Sequence, residues 1–176
     1  MTEQLSADDW INRGLKALAK SGFTALKADP LAKAMGVSRG SFYWHFADLG
    51  AFHAAVLKRW REIAAEQIIA DVEADSDEPL KALLRRTFGA RLELERAVRN
   101  WAAFNPAAQG AVRAIDRRRL DYIEALLARR GLVPAAAEAR AQILYWTFLG
   151  FALSGAPGPA ARLQSLIDEL LQMAAA

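Results

Sequence analysis

Apolar residues recur at three- and four-residue intervals along nearly the whole chain, and no stretch alternates convincingly with period two. That pattern predicts an all-α protein. Ser6, followed three residues later by Asp9, reads as an N-cap. Trp10, Ile11, Gly14, Leu15 and Leu18 then share one face of a helix that Gly22 closes. Asp29-Pro30 predicts a short second helix, with Asp29 as cap and Pro30 at the first helical position, where a missing N–H costs nothing. Gly36 ends it, Ser38 caps a third helix, and Asp48 caps a fourth reaching about Asp71, with Phe52, Val56, Trp60 and Ile63 along one side. The acidic stretch Glu73–Pro79 is the best candidate for a domain junction. Beyond it the spacing predicts helices over 79–98, 106–130, 134–154 and 159–173, with a turn at Ala156-Pro157-Gly158-Pro159 before the last.

The most informative segment runs from Asp29 to Phe46. Two short helices are expected to meet at the turn Gly36-Val37-Ser38, with small Ala32 permitting a close crossing and Val37 filling the angle. Leu31, Met35, Phe42 and Phe46 form the expected core beneath them. Arg39, Gly40, Ser41, Tyr43, Trp44 and His45 are then left facing outward. A surface helix gains nothing in water from three exposed ring side chains in a row, so a partner is the better explanation. Helix-turn-helix geometry supplies one, since its second helix enters the major groove of duplex DNA.

Charge agrees with that partner but does not select it. The chain carries 23 Lys/Arg against 20 Asp/Glu, a net charge of +3. Residues 1–60 hold eight of the basic and five of the acidic side chains, so the excess lies entirely in the N-terminal third. There is no cysteine, which removes disulfides, thiolate metal sites and cysteine nucleophiles together and fits a cytoplasmic protein. His45 and His53 have no nearby cysteine or carboxylate set, so no metal site is expected. No Gly-rich phosphate loop or nucleophile elbow is present, and neither an enzyme nor a cofactor is expected. The opening residues show no secretory signal, and the apolar run Ile143–Leu153 is about half a membrane span.

The string Gly36-Val-Ser-Arg-Gly-Ser-Phe-Tyr-Trp-His-Phe46 closely resembles the recognition-helix signature of the tetracycline-repressor (TetR) family, with the resemblance extending over roughly residues 8–60. Glu95–Ala102 and Ile115–Tyr122 resemble segments found in part of that family. The resemblance implies a helix-turn-helix domain over 1–47 and a helical ligand-binding and dimerisation domain over 48–176, with 48–71 as connecting helix. It implies that Arg39, Gly40 and Ser41 face bases and that Tyr43 and His45 meet phosphate, with Lys27 nearby. Ser38 and Trp44 complete the candidate DNA-facing set. In two places the chain departs from the family pattern. Leu49-Gly50 replaces a usual Lys-Glu pair, which removes a common phosphate contact, and Asp29 carries the wrong charge for a phosphate.

The later aromatic residues have two readings. Phe88, Trp101, Phe104, Tyr122, Tyr145, Trp146, Phe148 and Phe151 form ordinary core, or some of them line a cavity for a small apolar effector. Phe88, Trp101, Phe104, Tyr122 and Trp146 are the candidate ligand residues. The helix over 134–154 is apolar almost all round, and 159–173 carries a leucine stripe, which together predict a four-helix homodimer interface. Leu144, Phe148, Leu149, Leu163, Leu166 and Leu170 are its candidates. The expected function is an operator-binding regulator, a repressor released from inverted-repeat duplex DNA by its effector. The alternative is a helical ligand-binding or adaptor protein with weakened operator binding.

Overall fold

The computed structural model describes residues 5–75, 77–154 and 160–175. The described residues form helices joined by turns, without a strand. In chain order these are α1 (Ala7–Ser21), a 3-10 turn (Phe23–Ala25), α2 (Ala28–Met35), α3 (Arg39–Tyr43) and α4 (Leu49–Arg61). A π-helical segment (Glu62–Glu66) leads into α5 (Gln67–Asp75). Then come α6 (Pro79–Gly89), α7 (Glu93–Ala102), α8 (Pro106–Arg129), α9 (Pro134–Ser154) and α10 (Ala160–Met173). The turn expected at 156–159 lies outside the described residues, as do the first four residues.

Two compact units emerge, one from residues 1–63 with 92–113, the other from 64–91 with 114–176. The acidic stretch Glu73–Pro79, read from the sequence as a junction, instead falls inside the second unit. The helix expected over 79–98 is two helices, α6 ending at Gly89 and α7 starting at Glu93. Their assignment explains the break. Helix α7 packs on α1 in the first unit, whereas α6 packs on α5, α9 and α10 in the second. One straight helix has no reason to serve both cores.

The first unit is closed by local chemistry. Ser6 and Asp9 form a reciprocal capping box, with the Ser6 hydroxyl accepting from the Asp9 N–H at 3.2 Å. The Asp48 carboxylate accepts from the Ala51 N–H at 2.7 Å and starts α4. Gly36 stops α2 in the left-handed region at φ 69°. The cap of α2 differs from expectation: the capping position is Lys27, not Asp29, and no side chain bonds there. Ala28 is buried, so the first helical turn begins early enough to bring it into the core. That leaves Asp29 in the first turn, where a carboxylate still favours the helix dipole. Trp10 packs edge-on to Phe42 at 5.3 Å, and Phe42, Phe46 and Phe52 pack edge-on or tilted against one another at 5.0–5.2 Å. Helix α3 therefore rests on an aromatic base.

In the second unit Leu80, Leu84 and Phe88 of α6 are buried, as are Ile115, Tyr122 and Leu127 of α8 and Leu144, Tyr145 and Phe148 of α9. The polar tips of the two tyrosines are paired: Tyr122 donates to Glu73 at 2.7 Å and Tyr145 donates to Asp116 at 2.5 Å. Burial and the Glu73 carboxylate both push the Tyr122 phenol well above its ordinary pKa. Among the described residues no helix is long and apolar enough to cross a membrane.

Candidate nucleic-acid interface

Helices α2 and α3 meet through Gly36 and Val37, whose N–H groups donate to the Lys33 and Ala32 carbonyls at 3.3 and 3.1 Å. Leu31, Ala32, Phe42 and Phe46 are buried, and Met35 and Val37 are half-buried. With the apolar side chains turned inward, the helix pair presents the residues left over. Lys27, Ser38, Arg39, Gly40, Tyr43 and Trp44 are exposed, while Ser41 and His45 are half-buried. Trp44 is 88% exposed and Tyr43 47%, which water alone does not favour for side chains of that size.

Helix α3 is shorter than the sequence reading of Ser38–Phe46. It ends at Tyr43, and the chain continues as a turn, with the His45 and Phe46 N–H groups both donating to the Phe42 carbonyl at 3.0 and 3.1 Å. Ser38 occupies the cap position of α3 but its side chain makes no cap bond. That hydroxyl stands beside exposed Gly40, 3.6 Å from where a Cβ would sit.

Arg39 is the best-defined side chain on this surface. Its Nη2 donates to the Tyr43 hydroxyl at 3.2 Å, its guanidinium carbon lies 5.6 Å from the Tyr43 ring centre, and its Nε lies 3.5 Å from Asp29 Oδ1. The Tyr43 hydrogen bond, followed by the Asp29 charge, raises the Arg39 pKa above its already high ordinary value. The planar cation is thus permanently charged, outward and oriented. Such a group suits a guanine edge, and a tyrosine hydroxyl suits a phosphate oxygen.

The candidate ligand residues divide between the units. Phe88 and Tyr122 line a cavity of about 40 Å³ in the second unit, together with Leu84, Arg119, Leu144 and Phe148. Trp101 and Phe104 belong instead to the first unit, where with Phe23 and Asn100 they border an open cleft of about 470 Å³. Trp146 lies in neither and is 64% exposed. Sequence reasoning weighed His53 only as a metal ligand and missed its packing: its Nε2 lies 2.9 Å from the Leu26 carbonyl oxygen and its ring sits edge-on to Phe23 and Trp101. It also missed Glu95, buried in α7 and paired with Arg99 at 2.8 Å.

Of the candidate interface residues, Leu144, Phe148 and Leu170 are already buried within the chain and have little surface left to bury again. Leu149, Leu163 and Leu166 are half-buried. The exposed apolar face of α9 is Ile143, Trp146 and Leu153, with Gly150 among them at helical spacing.

Residues 11–49 match the family model described as bacterial regulatory proteins, tetR family. The fold is similar to that of a transcriptional regulator from Rhodococcus sp. Rha1, at 23% identity over 96% of this chain and 95% of that one, with a TM-score of 0.81. It is also similar to a TetR transcriptional regulator from Legionella pneumophila, at 16% identity over 98% of each chain, with a TM-score of 0.76. A third likeness is to E. coli NemR in its reduced form, at 18% identity over 95% of this chain and 96% of that one, with a TM-score of 0.74. No curated protein sequence matches the chain. At 16–23% identity the structural likenesses show the fold, and the family match covers residues 11–49. Residues 11–49 are thus similar to the N-terminal domain of the tetR-family bacterial regulatory proteins, and the fold is similar to those of the transcriptional regulators above.

Proposed function

We propose that the protein is a homodimeric repressor that binds an inverted-repeat operator through α3 and is released by a small apolar effector. The observation that carries the DNA-binding part is the outward, oriented Arg39 beside exposed Tyr43 and Trp44 on a buried aromatic base. In this reading Arg39, Gly40 and Ser41 face base edges. Tyr43, His45 and Lys27 meet phosphate, and Ser38 and Trp44 pack on the backbone between them. The exposed Ile143, Trp146 and Leu153 face of α9 is the apolar surface that a second copy would cover, with the half-buried leucines of α10 beside it.

The effector site in this reading is the cavity around Phe88, Tyr122 and Phe148. At about 40 Å³ it holds a water or two, far below the roughly 300 Å³ of a typical ligand pocket, so occupation requires its walls to move. Arg119 is the wall residue with a clear consequence. Its guanidinium donates to the Ala64 carbonyl at 3.0 and 3.3 Å within the π-helical segment, and lies 5.2 Å from the Phe148 ring centre. An effector that displaces Arg119 frees a carbonyl in a segment whose hydrogen bonding is already irregular. That segment continues in sequence from α4, which supplies a route by which occupation alters the DNA-bound state. The effector must bind the two states unequally, since equal binding shifts nothing. Selection of bound fragments from random duplex DNA tests the reading. An inverted repeat with half-sites near one helical turn apart, or a multiple of it, is the expected outcome. Enrichment of no sequence would refute it.

A further inference from the structure

Asp29 is out of place on a surface that meets phosphates, yet it is not idle. From the first turn of α2 its Oδ1 lies 3.5 Å from Nε of Arg39 in α3, with the two side chains 69% and 61% exposed. A pair so open to water contributes little to the stability of the fold. Its effect is on pose. Arg39 directs Nε towards Asp29 and one Nη2 hydrogen towards the Tyr43 hydroxyl at 3.2 Å. Of the five guanidinium N–H groups, those on Nη1 and the second on Nη2 remain, and they form the edge that suits guanine O6 and N7. The carboxylate meanwhile repels phosphate, which lowers affinity for every duplex alike. A feature that weakens general binding and orients a base-reading cation favours selectivity over affinity.

We propose that Asp29 is a specificity-determining residue that works with Arg39 as one base-reading unit. Its carboxylate holds the guanidinium edge towards guanine and disfavours a neighbouring base edge that offers only acceptors. A cytosine or adenine edge, which presents an amino donor, is accepted there. The inference rests on the DNA-binding reading above and deepens it.

The test uses the full-length protein, its selected operator, and duplexes carrying each base in turn at every half-site position, titrated by fluorescence anisotropy at one salt concentration. Wild type, Asp29→Ala, Asp29→Asn, Arg39→Ala and the Asp29→Ala/Arg39→Ala double variant are compared. Asp29→Ala is expected to bind a scrambled duplex more tightly than wild type. It should also lose at least about fivefold of the discrimination at the position that Arg39→Ala relaxes. Asp29→Asn, which keeps an acceptor but no charge, should fall between. With Arg39 already removed, Asp29→Ala should cause no further loss there. Full retention of base preference in Asp29→Ala, at a position that Arg39→Ala relaxes, would overturn the inference while leaving the DNA-binding reading intact. No base preference in wild type would overturn both.

Discussion

Replacement of Gly14 by alanine tests the packing that holds α3. Gly14 is buried where α1 crosses α4, and a Cβ there would lie 2.7 Å from Phe52 Cζ and 3.2 Å from Val56 Cγ2. Carbon atoms pack best at about 3.5–4.0 Å, so the methyl group overlaps both neighbours. Neither neighbour can yield easily. Phe52 and Val56 are fully buried, and the Phe52 ring has Phe42 at 5.2 Å and Phe46 at 5.0 Å. Overpacking of this kind costs about 1–3 kcal/mol. Against it stands the helix preference for alanine over glycine, at most about 1 kcal/mol. The clash should win, leaving a net loss of about 1 kcal/mol and a Tm lower by roughly 2–4 °C. Urea unfolding followed by circular dichroism measures the difference. In a Phe52→Leu background the methyl group has room, so Gly14→Ala should become neutral or stabilising, with a coupling of about 1 kcal/mol or more. A stability of the single Gly14→Ala variant equal to or above wild type would refute the argument.

Other perturbations probe separate links of the account. Tyr43→Phe should weaken binding to all duplexes by a similar factor without changing base preference, because a phosphate contact carries no base information; operator titrations against a scrambled duplex would show it. Trp146→Arg should shift the protein towards monomer in sedimentation at micromolar concentration, whereas Leu144→Ala should chiefly lower Tm, by the equivalent of about 2–5 kcal/mol for a buried leucine. Glu73 is held below its ordinary pKa first by its hydrogen bonds with Arg129 and then by that from Tyr122. A carboxylate lowered in the folded state adds stability that is fully present above its unfolded pKa of 4.5 and is lost as pH falls through the lower folded value. Wild type should therefore lose more stability between pH 5 and about 3 than Glu73→Gln does, as followed by thermal melts across that window.

The parts of this fold that were legible in the sequence are those made by neighbours along the chain. Ser6 with Asp9, Asp48 with Ala51, and Gly22 and Gly36 each act within a few residues, so local rules locate them. The alternation of inward and outward residues over Leu31–Phe46 was legible for the same reason. Contacts between distant segments decided the rest. Periodicity runs on from Leu84 and Phe88 to Val98 and Trp101, and nothing in it shows that the first pair joins one core and the second another. The candidate ligand aromatics were divided for that reason. Asp29 followed by Pro30 satisfied the cap rule, but burial of Ala28 moved the helix start to Lys27. On α9 nearly every position is apolar, so the sequence could not separate inward Leu144 and Phe148 from outward Ile143 and Trp146. The burial of Glu95 was invisible, because a charged residue on a helix is usually solvated.

The central claim is that α3 reads DNA sequence through Arg39 while its neighbours grip the backbone. The most direct measurement is the affinity of wild type and Arg39→Ala for the selected operator and for a scrambled duplex, across a range of salt concentrations. Both proteins should show log affinity falling linearly with log salt on both duplexes, since released counterions report the phosphate contacts. Wild type should prefer the operator at every salt concentration. Arg39→Ala should lose about 1–3 kcal/mol of that preference, with nearly the same salt slope. Equal affinity of wild type for both duplexes, or an Arg39→Ala variant that keeps the full preference, would contradict the account.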